Sequence, residues 1–124
     1  MEQTPYLERR EKPWGFELIY TEPELPYTGK ILNVSAGKRL SLQYHDIKVE
    51  TMMLLSGQAL LHIGPNPEHL QEIAMEIGKG YTIKALEVHR LEAITDLKVL
   101  ECSTGEVGTT FRLEDDFSRT NEIR

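Results

Sequence analysis

A run bounded by two glycines, Gly37 to Gly57 (GKRLSLQYHDIKVETMMLLSG), constrains this chain more than any other stretch. It sets Gln43, His45 and Glu50 at strand-like spacing, and a later glycine-led run ends in His89. In a strand, successive side chains point to opposite faces and each residue advances about 3.3 Å, so Gln43 and His45 share a face about 7 Å apart. Glu50 follows the short break HDIKV, long enough to turn the chain, and opens the apolar run TMMLLSG on an expected adjacent antiparallel strand. His89 would close the set from a third strand. Two or three nitrogen or oxygen ligands plus a carboxylate suit a divalent first-row ion that keeps positions open for substrate or water. The constellation reads as a metal site inside a small β-barrel.

The same intervals resemble the first motif of the cupins: glycine, five residues, His, one residue, His, three or four residues, Glu, six residues, glycine. Here Gly37, Gln43, His45, Glu50 and Gly57 match every interval, with Gln43 where the first His is usual. The second cupin motif keeps Gly78 and His89, while Lys84, Leu86 and Ala93 replace its Pro, Gly and Asn. Within the cupins, Ser41, Leu42, Gln43 and His45, the KPWG run Lys12 to Gly15, the Ser56–Gly57 pair and the VHRLE run Val88 to Glu92 resemble the mannose-6-phosphate isomerase cupin domain, over roughly residues 12 to 105. The resemblance implies an all-β fold, a cupin-type double-stranded β-helix (jelly-roll barrel). It also implies one divalent metal ion, with Zn expected first and Mn, Fe, Ni or Co as substitutes, held by Gln43, His45, Glu50 and His89. The implied activity is interconversion of an aldose phosphate and a ketose phosphate, of the mannose-6-phosphate/fructose-6-phosphate type. The chain departs from that family's His-rich run: HDIK follows the strand and Thr51 follows the acid. Two other readings stand beside the first, a metal-binding cupin with another small-molecule activity such as an oxygenase, and a non-catalytic sugar-binding cupin.

Isomerisation moves a proton between neighbouring carbons through an enediol and needs a base within about 3 Å of the carbon-bound proton. Strand parity puts Glu101 on one face with Leu97, Val99 and Ser103, which makes it a candidate base; burial would raise its pKa into a useful range. Lys84 is the other candidate for proton transfer. For the substrate phosphate, Arg39 offers a fork of donors two residues before Ser41, and Lys48 lies at the expected barrel mouth with Asp46. Arg90 and Lys12 sit in the family-like segments and are further phosphate candidates. Trp14 is expected to close one end of the barrel.

At 124 residues the chain is expected to be one domain, large enough to bury roughly two thirds of its unfolded surface. Residues 1–11 read as a polar arm, 12–104 as the barrel and 105–124 as a charged tail in which LEDDFSRT could form one helical turn. The barrel strands are expected as short runs between Trp14 and Ser103, punctuated by Gly and Pro. Cys102 is the only cysteine, and the first thirty residues hold no apolar leader core, so a cytoplasmic setting is expected. A net charge of −6 argues against a nucleic-acid or anionic-membrane partner, and the apolar runs are too short to span a bilayer. The expected partner is a small sugar or sugar phosphate. If Gln43 and His45 face inward, so should Arg39 and Ser41, leaving Leu40, Leu42 and Tyr44 outward; with the run Met52–Leu55, these predict a sheet covered by a second copy in a homodimer, or by the arm or tail of the same chain.

Overall fold

The computed structural model describes residues 3–105 and 108–123; residues 1–2, 106–107 and 124, parts of the expected arm and tail, lie outside the described residues. Two six-stranded sheets face one another. The first runs β1 (Glu8–Lys12), β2 (Gly15–Ile19), β3 (Tyr27–Val34), β10 (Leu97–Thr104), β5 (Glu50–Ser56), β8 (Gly80–Ile83). The second runs β12 (Glu122–Ile123), β11 (Thr109–Glu114), β4 (Leu42–His45), β9 (Val88–Ala93), β6 (Ala59–Gly64), β7 (Gln71–Ala74). Every strand pairing is antiparallel, and the architecture is the all-β jelly roll the motifs predict. No helix among the described residues is long and apolar enough to cross a membrane.

The glycines that delimit the motifs earn their places in the backbone. Gly37, Gly57 and Gly78 all lie at positive φ, +79°, +89° and +81°, a region that costs other residues about 1–2 kcal/mol. At Gly57 a Cβ would also come within 2.3 Å of the Asp96 carbonyl oxygen, so the turn closes against its neighbour only without a side chain.

Alternation sorts the inner faces along the barrel axis. On β10 the inward residues run Leu97, Val99, then Glu101, Ser103; on β3, Val34, Leu32, then Lys30, Thr28; on β5, Leu54, Met52, then Glu50, all of them buried. On β9, Ala93 and Leu91 give way to His89. One end of the barrel is therefore a packed apolar plug, built from Leu32, Val34, Leu54, Leu61, Leu91, Leu97 and Val99 with Trp14 against it. Each such aliphatic side chain contributes roughly 1.5–3 kcal/mol on burial. The other end is lined by charge, and the plug holds that end open.

Three strands arise where none is expected. β1 pairs with β2 from Glu8↔Ile19 to Lys12↔Gly15, so four residues of the expected arm belong to the sheet. β11 pairs with β4, and β12 with β11, so the sheet continues past residue 104 into the charged tail. The helical turn expected over LEDDFSRT is instead the end of β11 followed by a turn in which Ser118 N donates to the Asp115 carbonyl at 3.1 Å. The outward apolar residues are partly accounted for within the chain: Leu42 is buried, Leu40 packs against the core, and Tyr44 stacks on Phe111 of β11 with ring centroids 4.8 Å apart. On the other sheet, Leu18, Ile31, Leu100 and Met53 form one directly paired cross-strand row on the outer face.

Candidate metal centre

At the polar end, β4, β5 and β9 bring His45, Glu50 and His89 together, all buried, with one ligand-type atom from each within 4.8 Å of the others. Glu50 Oε1 lies 3.1 Å from His89 Nε2 and 3.5 Å from His45 Nε2. Both imidazoles are oriented from behind. His89 Nδ1 donates to the Glu87 carbonyl at 3.0 Å, which places the free lone pair of the neutral ring on Nε2. His45 Nδ1 bonds Thr110 Oγ1 of β11 at 2.9 Å. The two Nε2 atoms are buried without a hydrogen-bond partner. Buried polar atoms are seldom left so, and two imidazole nitrogens aimed at one carboxylate oxygen are the donor set a divalent first-row ion takes. The residues present thus fit the metal that the motif implies.

Gln43 lines the same pocket as His45 and Glu50, and it sits opposite His89 in the β4–β9 register. Its Oε1 accepts from Ser41 Oγ at 2.6 Å.

The electrostatics follow from burial and from a lysine. Lys48, from the β4–β5 loop, folds inward and is buried, with Nζ 3.4 Å from Glu50 Oε2 and 3.5 Å from Glu101 Oε2. Burial alone would raise the Glu50 pKa, but the Lys48 charge and the two imidazoles outweigh it and hold the carboxyl well below its usual range. For Glu101, burial dominates and the Glu50 charge adds to it, so its pKa is pushed up to about 7 against the opposing pull of Lys48 and Lys30. His45 is lowered by burial, which exceeds the attraction of Glu50. Burial also acts to lower His89, yet the nearby Glu50 carboxylate and the Glu87 carbonyl together leave it raised.

Of the residues singled out in the sequence, the structure gathers Gln43, His45, Lys48, Glu50 and Glu101 on the pocket, with His89 behind Glu50. Three expectations it does not meet. Arg39 reaches the surface instead, where Nε and Nη2 donate to both oxygens of Asp116 at 2.7 and 2.6 Å. The parity count fails because β4 begins only at Leu42: Leu40 and Ser41, adjacent in sequence, both line the pocket, and the chain before them is turned over. Arg90 alternates with His89 and so points away from the pocket; it is buried under the end of β11, its Nε donating to the Leu40 carbonyl at 2.8 Å and Nη1 to Glu114 Oε1 at 3.2 Å. Lys84 is exposed just beyond β8, outside the pocket, with its backbone N–H held by Glu87 Oε1 at 2.7 Å.

Pocket residues that the sequence reading passed over come from the expected first strand, β2, and from β11 and the segment after it. Glu17 on β2 lies between Lys12 and Lys30, at 3.8 and 3.7 Å. Thr110 and Arg112 on β11 pair with His45 and Gln43 and share their inward face, and Arg119 and Glu122 follow at the rim. The signal for β11 was present as alternation in TTFRLE, hidden by the charge density around it.

Comparison with known proteins adds the following. A family model described as mannose-6-phosphate isomerase C-terminal matches residues 3–122. A search of curated proteins finds no match. Among solved structures, the capsular polysaccharide assembling protein CapF of Staphylococcus aureus is similar, with 13% identity, a TM-score of 0.72, and coverage of 95% of this chain and 31% of that one. An oxalate decarboxylase follows at 19% identity and TM-score 0.71, covering 86% of this chain and 30% of that one. An oxalate oxidase shares 13% identity at TM-score 0.62, covering 71% and 46%. The chain spans less than half the length of each, and at these identities the likeness is one of fold.

Proposed function

The chain belongs to the mannose-6-phosphate isomerase C-terminal family, and from that premise we propose that it is a metal-dependent isomerase converting an aldose phosphate to a ketose phosphate, of the mannose-6-phosphate/fructose-6-phosphate type. The observation that carries the reading is a convergence: two unsatisfied imidazole nitrogens meet on Glu50, and a second buried carboxylate, Glu101, lines the same pocket.

His45, Glu50 and His89 would hold the ion, with Gln43 as the fourth protein ligand. When bound, a divalent ion supplies a Lewis acid for the carbonyl and neighbouring hydroxyl oxygens. Glu101 in its carboxylate form takes the proton from the carbon beside the carbonyl, leaving an enediolate; the hydroxyl proton passes from the neighbouring oxygen to the former carbonyl oxygen, and Glu101 returns its own proton to the former carbonyl carbon. A pKa of about 7 lets the same group take and release a proton near neutrality. Lys48 keeps Glu101 ionised often enough to act and turns the second oxygen of Glu50 away from the imidazoles.

The test is metal analysis of the native protein with an isomerisation screen of sugar phosphates on wild type and His45→Ala. One divalent ion per chain and turnover lost in the variant is the expected result; equal turnover in both removes the mechanism. Oxygen consumption in the same assays would move the reading to an oxygenase. The expected homodimer would bury the outer row Leu18, Ile31, Leu100 and Met53, and sedimentation of Leu100→Glu against wild type reads it.

A further inference from the structure

Several of the buried polar atoms without hydrogen-bond partners belong to this pocket, while Asn33 Nδ2 and Ser103 Oγ lie outside its lining. Besides the two imidazole nitrogens, those of the pocket include Glu17 Oε1 and Arg112 Nε, and both of those residues line it. They face it from opposite sheets, Glu17 from β2 and Arg112 from β11. One lacks a donor and the other lacks an acceptor.

Each is held in place by its neighbours. The Glu17 carboxylate sits between Lys12 Nζ and Lys30 Nζ, at 3.8 and 3.7 Å, beyond hydrogen-bond reach. Arg112 spends its terminal nitrogens on the Thr120 carbonyl and on Glu122 Oε2, so the guanidinium is fixed while its Nε–H has no acceptor. Arg112 is paired with Gln43, which is paired with His89, so it stands one strand along the wall from Gln43 and His45 and two from His89. The lining also carries Lys12, Lys30, Lys48, Arg112 and Arg119 against Glu17, Glu50, Glu101 and Glu122, a cationic excess in a chain of net charge −6.

We propose that Glu17 and Arg112 are the substrate-recognition pair of this pocket: Glu17 Oε1 accepts a hydrogen bond from a substrate hydroxyl, and Arg112 Nε–H donates to an anionic group carried at the substrate's far end. The proposal rests on the isomerase reading for the location of the reacting end and for the sugar phosphate; what it adds is which two side chains of the wall opposite hold the hydroxyl-bearing body and the terminal phosphate. A small dicarboxylic acid without hydroxyls has nothing to offer Glu17 and is repelled by it.

Calorimetric titration of the zinc-loaded protein with mannose 6-phosphate, mannose and inorganic phosphate tests the pair, on wild type, Glu17→Leu, Arg112→Gln and Arg112→Lys. Arg112→Gln is expected to weaken mannose 6-phosphate and phosphate by at least about tenfold, the worth of one charge-assisted hydrogen bond, and to leave mannose unchanged. Arg112→Lys recovers part of the phosphate affinity. Glu17→Leu weakens the two sugars and spares phosphate. A uniform loss for all three ligands in either variant makes the residue merely structural and overturns the proposal. Zinc affinity, read by chelator competition, reports whether each variant is folded. If they are not, the wild type decides: mannose and phosphate bound together support two separate points, and mutual displacement overturns them. Selective losses without isomerisation would keep the pair and remove the isomerase. Isomerisation with unchanged KM in both variants would keep the isomerase and remove the pair.

Discussion

Lys48 Nζ lies 3.5 Å from Glu101 Oε2 with both side chains buried, so the candidate base is tied to a lysine that also touches the metal-side carboxylate Glu50. A base held in this way has a charge that can be removed without removing its contacts.

Glu101→Gln keeps the shape of the side chain and an oxygen for Lys48 but deletes the proton acceptor. Turnover is expected to fall by about 10²–10⁴-fold, the usual worth of a positioned base, with zinc affinity nearly unchanged. Wild-type kcat should lose activity as pH falls through about 7, where Glu101 takes up its proton. Steady-state kinetics against pH, with zinc binding measured in parallel, reads both. A variant that turns over like wild type would place the base elsewhere.

The metal competes with a proton on His89. Because Glu50 and the Glu87 carbonyl raise this imidazole above its ordinary value despite burial, the metal-free protein holds its proton to higher pH than a free imidazole would. In the apoprotein the His89–Glu50 pair is stabilising below the unfolded imidazole pKa, and that contribution is lost as pH rises through the raised one. Zinc replaces the proton, so the stabilisation it gives grows as pH rises. At a free zinc concentration a hundred times Kd the gain is about 2.7 kcal/mol, on the order of 10 °C in Tm. Thermal unfolding with and without zinc at pH 6 and pH 8 should show the larger shift at pH 8; a larger shift at pH 6 contradicts the assignment of His89 as ligand.

Much of this site was legible in the chain because strand parity and turn glycines are local. Gly37, Gly57 and Gly78 mark turns that need positive φ, and they bracket His45, Glu50 and Glu101's neighbouring strand at fixed intervals. Parity failed where the strand was interrupted: nothing in GKRLSLQ shows that β4 starts at Leu42 and turns Arg39 outward. Arg112 and Glu17 were missed for another reason. Their strands carry apolar side chains on the outer face, Phe16 and Leu18 on β2 and Phe111 and Leu113 on β11, and charge on the inner one, the reverse of the usual alternation, so only pairing with β3 and β4 reveals which side is inside.

Arg90→Leu separates structure from substrate binding. The side chain is 5% exposed and supplies the hydrogen bond to the Leu40 carbonyl and the link to Glu114 that ties the end of β11 to β9 across β4. Replacing it leaves a buried carbonyl without its donor and frees the end of β11, at an expected cost of about 2–4 kcal/mol by chemical denaturation. KM for a sugar phosphate should not move below the unfolding transition, since Arg90 faces away from the pocket. A raised KM with unchanged stability would restore it to the substrate.

Leu86 occupies the position where the second cupin motif has glycine, and its φ is +71°. The conformation is retained because the turn is tied at both ends: Leu86 N donates to the His45 carbonyl at 2.7 Å and Glu87 N to the Lys84 carbonyl at 3.2 Å. These bonds bring the start of β9 alongside β4 and so fix where His89 stands relative to His45. A leucine held left-handed costs about 1–2 kcal/mol, and because this one is 62% exposed it recovers little by burial. Leu86→Gly relieves the strain but loses about 0.5–1 kcal/mol to the greater freedom of the unfolded chain, so the net expectation is a gain of about 0.5–1 kcal/mol in unfolding free energy. Zinc affinity should be unchanged, because the hydrogen bond from residue 86 to His45 is made by the backbone. A loss of stability in Leu86→Gly would mean that the leucine side chain, and not the turn, holds β9 in register.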